Sequence, residues 1–99
     1  MILIIQRRAE IALRSLQAIE RGLVNRALEE LLAVDKATLR ANRKIHALKS
    51  DRSEKQLFVY KGSPKLRLVV SFPDEDTCLV QDIVDHDRLG RLVRREGQE

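Results

Sequence analysis

Residues 65–84 read K-L-R-L-V-V-S-F-P-D-E-D-T-C-L-V-Q-D-I-V. From Leu66 to Phe72 the side chains alternate. Leu66, Leu68 and Val70 share one face, and Arg67, Val69 and Ser71 the other, which is the period of a strand. Pro73-Asp74-Glu75-Asp76 reads as a turn, with proline favoured early and aspartate tolerant of the bend. A second apolar run, Leu79 to Val84, follows at once. Strands joined by so few residues pair antiparallel. Upstream, Gln56 to Tyr60 is rich in β-branched and aromatic residues. The turn signal Lys61-Gly62-Ser63-Pro64 separates it from Leu66. The second half of the chain is therefore predicted to be a three-stranded antiparallel meander.

The first half has a different period. Met1 to Gln6 is a short strand rich in isoleucine. From Arg8, the residues Ala9, Ala12, Leu13, Leu16 and Ile19 recur at steps of three and four, which marks one face of a helix. Gly22 interrupts the pattern, and a second face follows with Leu23, Ala27, Leu28, Leu31 and Leu32. The reading is a helical hairpin joined near Gly22. A single helix bent there is the alternative, because an isolated glycine costs only about 1 kcal/mol. Residues 33–49 form a basic connector with some helix, capped by Asp35. Leu39, Ile45 and Leu48 are its large apolar residues, set among Lys36, Arg40, Arg43, Lys44, His46 and Lys49. Ser50 to Glu54 is a polar turn.

The order is strand, helical hairpin, then three strands. This predicts an α+β fold in which the first strand joins the sheet edge. The result is a four-stranded sheet with helices packed on one face. Residues 1–99 contain no repeat and no linker, so they form a single domain, close to the size at which one core suffices. The only aromatic residues are Phe58, Tyr60 and Phe72, so the core is aliphatic. Cys78 stands alone, which excludes an internal disulfide and a multi-cysteine zinc motif, and suits a reducing cytosol. The apolar start is too short for a signal peptide. No run approaches the ~18 apolar residues of a membrane helix. The expectation is a soluble cytoplasmic protein that needs no membrane.

Charge is uneven. Net charge is +4 overall. Residues 1–50 carry ten Lys/Arg against five Asp/Glu, and residues 51–99 carry nine against ten. A basic first half suits an anionic partner such as nucleic acid or an acidic protein segment, although a solvated helix surface has the same composition.

Taken in order, these pieces resemble the RelE/ParE superfamily of bacterial and archaeal toxins from toxin–antitoxin pairs. The likeness spans nearly the whole chain. It comprises the short first strand, the hairpin A-E-I-A-L-R-S-L…A-L-E-E-L-L and the connector K-I-H-A-L-K. The strands L-F-V-Y, K-L-R-L-V-V-S-F and L-V-Q-D-I-V-D-H-D-R-L complete it. The resemblance implies one of two activities: cleavage of mRNA in the ribosomal decoding site, or poisoning of DNA gyrase. It also implies an antitoxin that wraps the toxin, and no cofactor or metal.

RNA cleavage of this type uses the 2′-hydroxyl as nucleophile. It needs proton transfer and cations around the charged phosphorane. By resemblance, Arg67 matches the family's phosphate-binding arginine, and its planar fork suits two phosphate oxygens at once. His86 matches a histidine that some RNA-cleaving members carry, and its imidazole could serve as general acid or base. Arg88 matches a second family arginine if the acidic turn holds one inserted residue. Connector bases touch RNA in some relatives, which makes Arg43, Lys44, His46 and Lys49 candidates for RNA binding, with Lys61 beside them. The RNA-cleaving members carry lysines in the second strand, where this chain has Phe58 and Tyr60. They also carry a C-terminal aromatic where this chain has Leu89-Gly90-Arg91, which leaves Tyr60 as the aromatic available to stack on a base. These departures suit the gyrase inhibitor. A basic interaction module without toxicity is the reading outside the family.

Overall fold

The computed structural model describes residues 1–47 and 56–87. The elements in chain order are β1 (Ile2–Ile5), α1 (Arg7–Arg14), α2 (Ala18–Ala33), α3 (Lys36–Arg40), β2 (Ile45–Ala47), β3 (Phe58–Lys61), β4 (Leu66–Asp74) and β5 (Thr77–Asp85). The sheet has five strands in the order β1-β5-β4-β3-β2. The expected turn at Ser50–Glu54 and the basic tail from Arg88 lie outside the described residues.

The α+β class stands, but the four-stranded antiparallel sheet is corrected to a five-stranded mixed one. β1 runs parallel to β5, with Ile4 opposite Leu79. β2 adds a strand within the stretch read as connector, pairing antiparallel with β3. Strand direction at a sheet edge depends on a partner more than seventy positions away, and residue pattern carries no signal for it. β2 is only three residues long, too short for alternation to show until β3 lies beside it.

The helical break also moves. α1 ends at Arg14, and Gly22 lies inside α2. Two side chains define the break. Ser15 Oγ donates to the Ile11 carbonyl at 3.0 Å. Arg21 reaches back to donate to the carbonyls of Leu16 at 2.8 Å and Arg14 at 3.1 Å. Carbonyls at a helix end lack intrahelical partners, and this guanidinium supplies them. The buried face of α2 is Val24, Ala27, Leu28 and Leu31, the i, i+3, i+4, i+7 set. This is one step from the expected face, since Leu32 is 49% exposed. Asp35 caps α3 as expected, its carboxylate accepting from the Thr38 N–H at 2.7 Å.

The core lies between the helices and one face of the sheet. Ala9, Val24, Leu31 and Leu39 meet Tyr60, Leu68, Val70, Cys78, Val80 and Ile83. β5 carries a bulge. Val69 pairs with Asp82, but Val70 pairs with Val80, so Gln81 is the extra residue. Its side-chain amide donates to buried Ser71 at 2.7 Å. The bulge shifts parity along β5. Ile83 faces the core, and Val84 faces the opposite side with its cross-strand partner Arg67. Pro73 lies beyond the last β3–β4 pair, Phe58 with Val70, so its missing N–H removes no bond to β3. Among the described residues no helix is long and apolar enough to cross a membrane.

Candidate nucleic-acid interface

The face of the sheet turned away from the helices carries the basic residues. Cross-strand register puts Lys61 directly opposite Arg67, and His46 opposite Val59. Paired positions share a face, so four side chains from three strands converge there. The segment between α3 and β2 adds Arg43 and Lys44. Together they enclose an open cavity of about 270 Å³ lined by Arg43, Lys44, His46, Val59, Lys61 and Arg67. Its lining holds four permanently cationic side chains and one imidazole. No carboxylate lines it among the described residues.

Arg67 is held in place. Its Nη1 donates to the carbonyls of Ser63 at 2.8 Å and Leu66 at 3.0 Å. The turn behind it is fixed in turn by Ser63. That hydroxyl donates to Glu20 at 2.8 Å and accepts the Leu66 N–H at 3.0 Å. A guanidinium has five N–H groups. Bonding through Nη1 alone orients the fork and leaves its other donors for a ligand. Lys44 is anchored differently, by an ion pair of 2.9 Å with Glu30 of α2. The hydrogen bond that Lys44 donates to Glu30 raises the Lys44 pKa above the usual ammonium value, so it stays charged. Lys44 and Glu30 are fourteen positions apart, and nothing local in the sequence announces the pair.

Of the residues expected to form a site, Arg43, Lys44, His46, Lys61 and Arg67 come together. His86 does not line the cavity. It follows β5, its N–H donating to the Lys65 carbonyl at 2.8 Å, and its side chain is exposed. Lys49 and Arg88 lie outside the described residues. Tyr60 is corrected. It is 1% exposed within the core, so it offers no face to a base. Burial raises its hydroxyl pKa above the ordinary tyrosine value, with a further contribution from the negative charge of Glu30. Phe58 packs edge-to-face on Phe72 with ring centroids 5.3 Å apart. No group of His, Cys, Asp and Glu among the described residues is arranged to hold a metal ion.

The geometry can do two things. It can bind a phosphate or a short polyanion through fixed cations. It can also move a proton at that phosphate, because His46 puts an imidazole, a group able to act as general acid or base, into the lining.

No protein-family model matches this sequence, and no curated protein is significantly similar to it. Among solved structures, a chain of the archaeal RelE–RelB complex from Pyrococcus horikoshii OT3 superposes with a TM-score of 0.65. The match covers 88% of this chain and 96% of that one, at 12% sequence identity. The likeness is one of fold, and this chain has a RelE-like fold.

Proposed function

We propose that this protein is the toxin of a toxin–antitoxin pair and acts as a metal-independent endoribonuclease on ribosome-bound mRNA. The observation that carries the reading is the acid-free groove of Arg43, Lys44, His46, Lys61 and Arg67 on the open face of a RelE-like sheet. Arg67 and Lys61 hold the non-bridging oxygens of the scissile phosphate. His46 takes the proton of the neighbouring 2′-hydroxyl, whose oxygen then attacks phosphorus. The P–O5′ bond breaks, leaving a 2′,3′-cyclic phosphate, and the departing 5′-oxygen takes a proton from solvent water, while His46 returns the proton it took to the solvent. Fixed cations favour the crowded negative charge of the phosphorane over the ground state. His86, which follows β5, and Arg88, two residues later in sequence, are the rival pair for proton transfer and phosphate contact.

The partner is an antitoxin protein, by analogy with the RelE–RelB complex of the structural neighbour. β1 is an edge strand, and its Ile2 and Ile4 are 60% and 47% exposed. An added strand or an apolar segment would cover them. One observation favours the second reading, a gyrase inhibitor that binds without cutting: Tyr60 is buried, so the groove offers no aromatic for a base.

The test is inducible expression of the wild type, His46→Ala, His86→Ala and Arg67→Ala, with mapping of mRNA 5′ ends. Growth arrest with new ends inside translated codons, lost in Arg67→Ala and in one histidine variant, supports the nuclease and identifies the proton-transfer residue. Arrest with intact mRNA moves the function to gyrase. No arrest by the wild type leaves a basic interaction module.

A further inference from the structure

A second cavity, of about 250 Å³, lies between α2 and the turn after β3. It adjoins the basic groove, because Lys44 and Lys61 line both. Its character differs. Leu23 and Pro64 give it apolar walls, Arg26 adds a cation at the α2 side, and Glu30 contributes a carboxylate. Gly62 and Ser63 complete its wall on the turn side.

We propose that this cavity seats a nucleobase, guanine in preference to uracil, with the RNA strand crossing into it over the Lys44–Lys61 bridge. The inference rests on the groove binding RNA, and it assigns the neighbouring nucleotide. Size permits it, because the space admits a purine. Chemistry favours it, because a base needs apolar walls for its ring and a polar group for its edge. The backbone entering such a site needs cations, and the two shared lysines stand at the junction. The edge preference follows from Glu30. Its carboxylate is held by Lys44 at 2.9 Å through one oxygen and 3.4 Å through the other, and it remains 40% exposed. A carboxylate accepts hydrogen bonds. Guanine presents two adjacent N–H groups, from its ring imino and its amine, whereas uracil presents one flanked by carbonyl oxygens that the carboxylate repels. An acidic protein segment suits this cavity less well, since Glu30 would face it.

The experiment is fluorescence anisotropy with a uridine hexamer and the six hexamers that place one guanosine at each position in turn. The wild type, Leu23→Trp and Glu30→Gln are compared, with thermal melts to show that each variant folds. The expected result is one guanosine position that binds about fivefold or more tightly than the uridine hexamer. Leu23→Trp, which fills the cavity, should abolish that gain and leave uridine-hexamer affinity within about twofold. Glu30→Gln should reduce the gain. Equal binding of all seven hexamers by the wild type overturns the base site while the groove stands as a phosphate site. A gain that survives Leu23→Trp places the base elsewhere and also overturns it. If no hexamer binds, the groove reading and this inference fall together.

Discussion

Lys61 and Arg67 stand directly opposite one another on paired strands, with no acid between them. Like charges at such positions destabilise a sheet by a few tenths to about 1 kcal/mol. An anion between them would relieve the repulsion, which is the signature expected if the pair binds phosphate. Lys61→Thr is expected to raise the melting temperature by a few degrees. The same substitution should weaken RNA binding, measured by anisotropy. A variant both less stable and equally tight would contradict the assignment. Cys78 makes a different prediction. It is fully buried, and burial pushes its thiol up to about 12 from a usual 9.0. Tyr60 shifts the same way. A raised folded pKa means that the folded state holds protons the unfolded state releases. Stability is therefore full below about pH 9 and falls as pH rises towards 12, which alkaline denaturation curves will show. The folded protein should resist thiol reagents at neutral pH.

At the scale of elements, the α1–α2 break shows how a side chain overrules a propensity. Gly22 is the residue with the lowest helix propensity in the region, yet it lies within α2. Arg21 supports the break instead, by donating to the carbonyls of Leu16 and Arg14. Nothing in the fold requires this glycine. Its φ is not positive, and a Cβ added there would meet no atom within 4 Å. Gly22→Ala is therefore expected to stabilise the protein by about 1 kcal/mol. A thermal melt checks this, with a rise of about 4–8 °C expected for a domain of this size. A fall would mean that the glycine serves a contact outside the described residues. The β5 bulge is the other decisive local feature. It places Val84 beside Arg67 and keeps Ile83 in the core.

The whole molecule is a two-layer sandwich with unlike surfaces. One sheet face is sealed by α1, α2 and α3, and the other presents cations gathered from β2, β3, β4 and the segment before β2. That asymmetry predicts a salt dependence. Three to four groove charges neutralising RNA phosphates give a slope of about −2 to −3 for log affinity against log salt, at about −0.7 per phosphate for a single strand. Arg67→Ala should flatten the slope by about 0.7. Affinity that does not change with salt would remove phosphate binding as the role of this face.

The sequence alone was enough for the α+β class, the first strand, the presence of two longer helices, the three strands of the second half, the Asp35 cap and the alternation that frees Arg67 from the core. These are short-range properties, set by period, propensity and turn chemistry within a few residues. The basic residues that meet in the groove were named through the resemblance of their stretches to the RelE/ParE superfamily. The parallel edge strand, the short β2, the place of the helical break and the burial of Tyr60 were settled only in three dimensions. Three of these depend on partners distant in sequence, namely β5 for β1, β3 for β2 and the core residues of α2 and β5 for Tyr60, while the break turns on the reach of Arg21 back to Leu16 and Arg14. The groove itself belongs to the same class. His46, Lys61 and Arg67 are spread over twenty-two residues of chain, and it is sheet register that brings them onto one face, because side-chain direction in a strand has meaning only relative to the strands beside it.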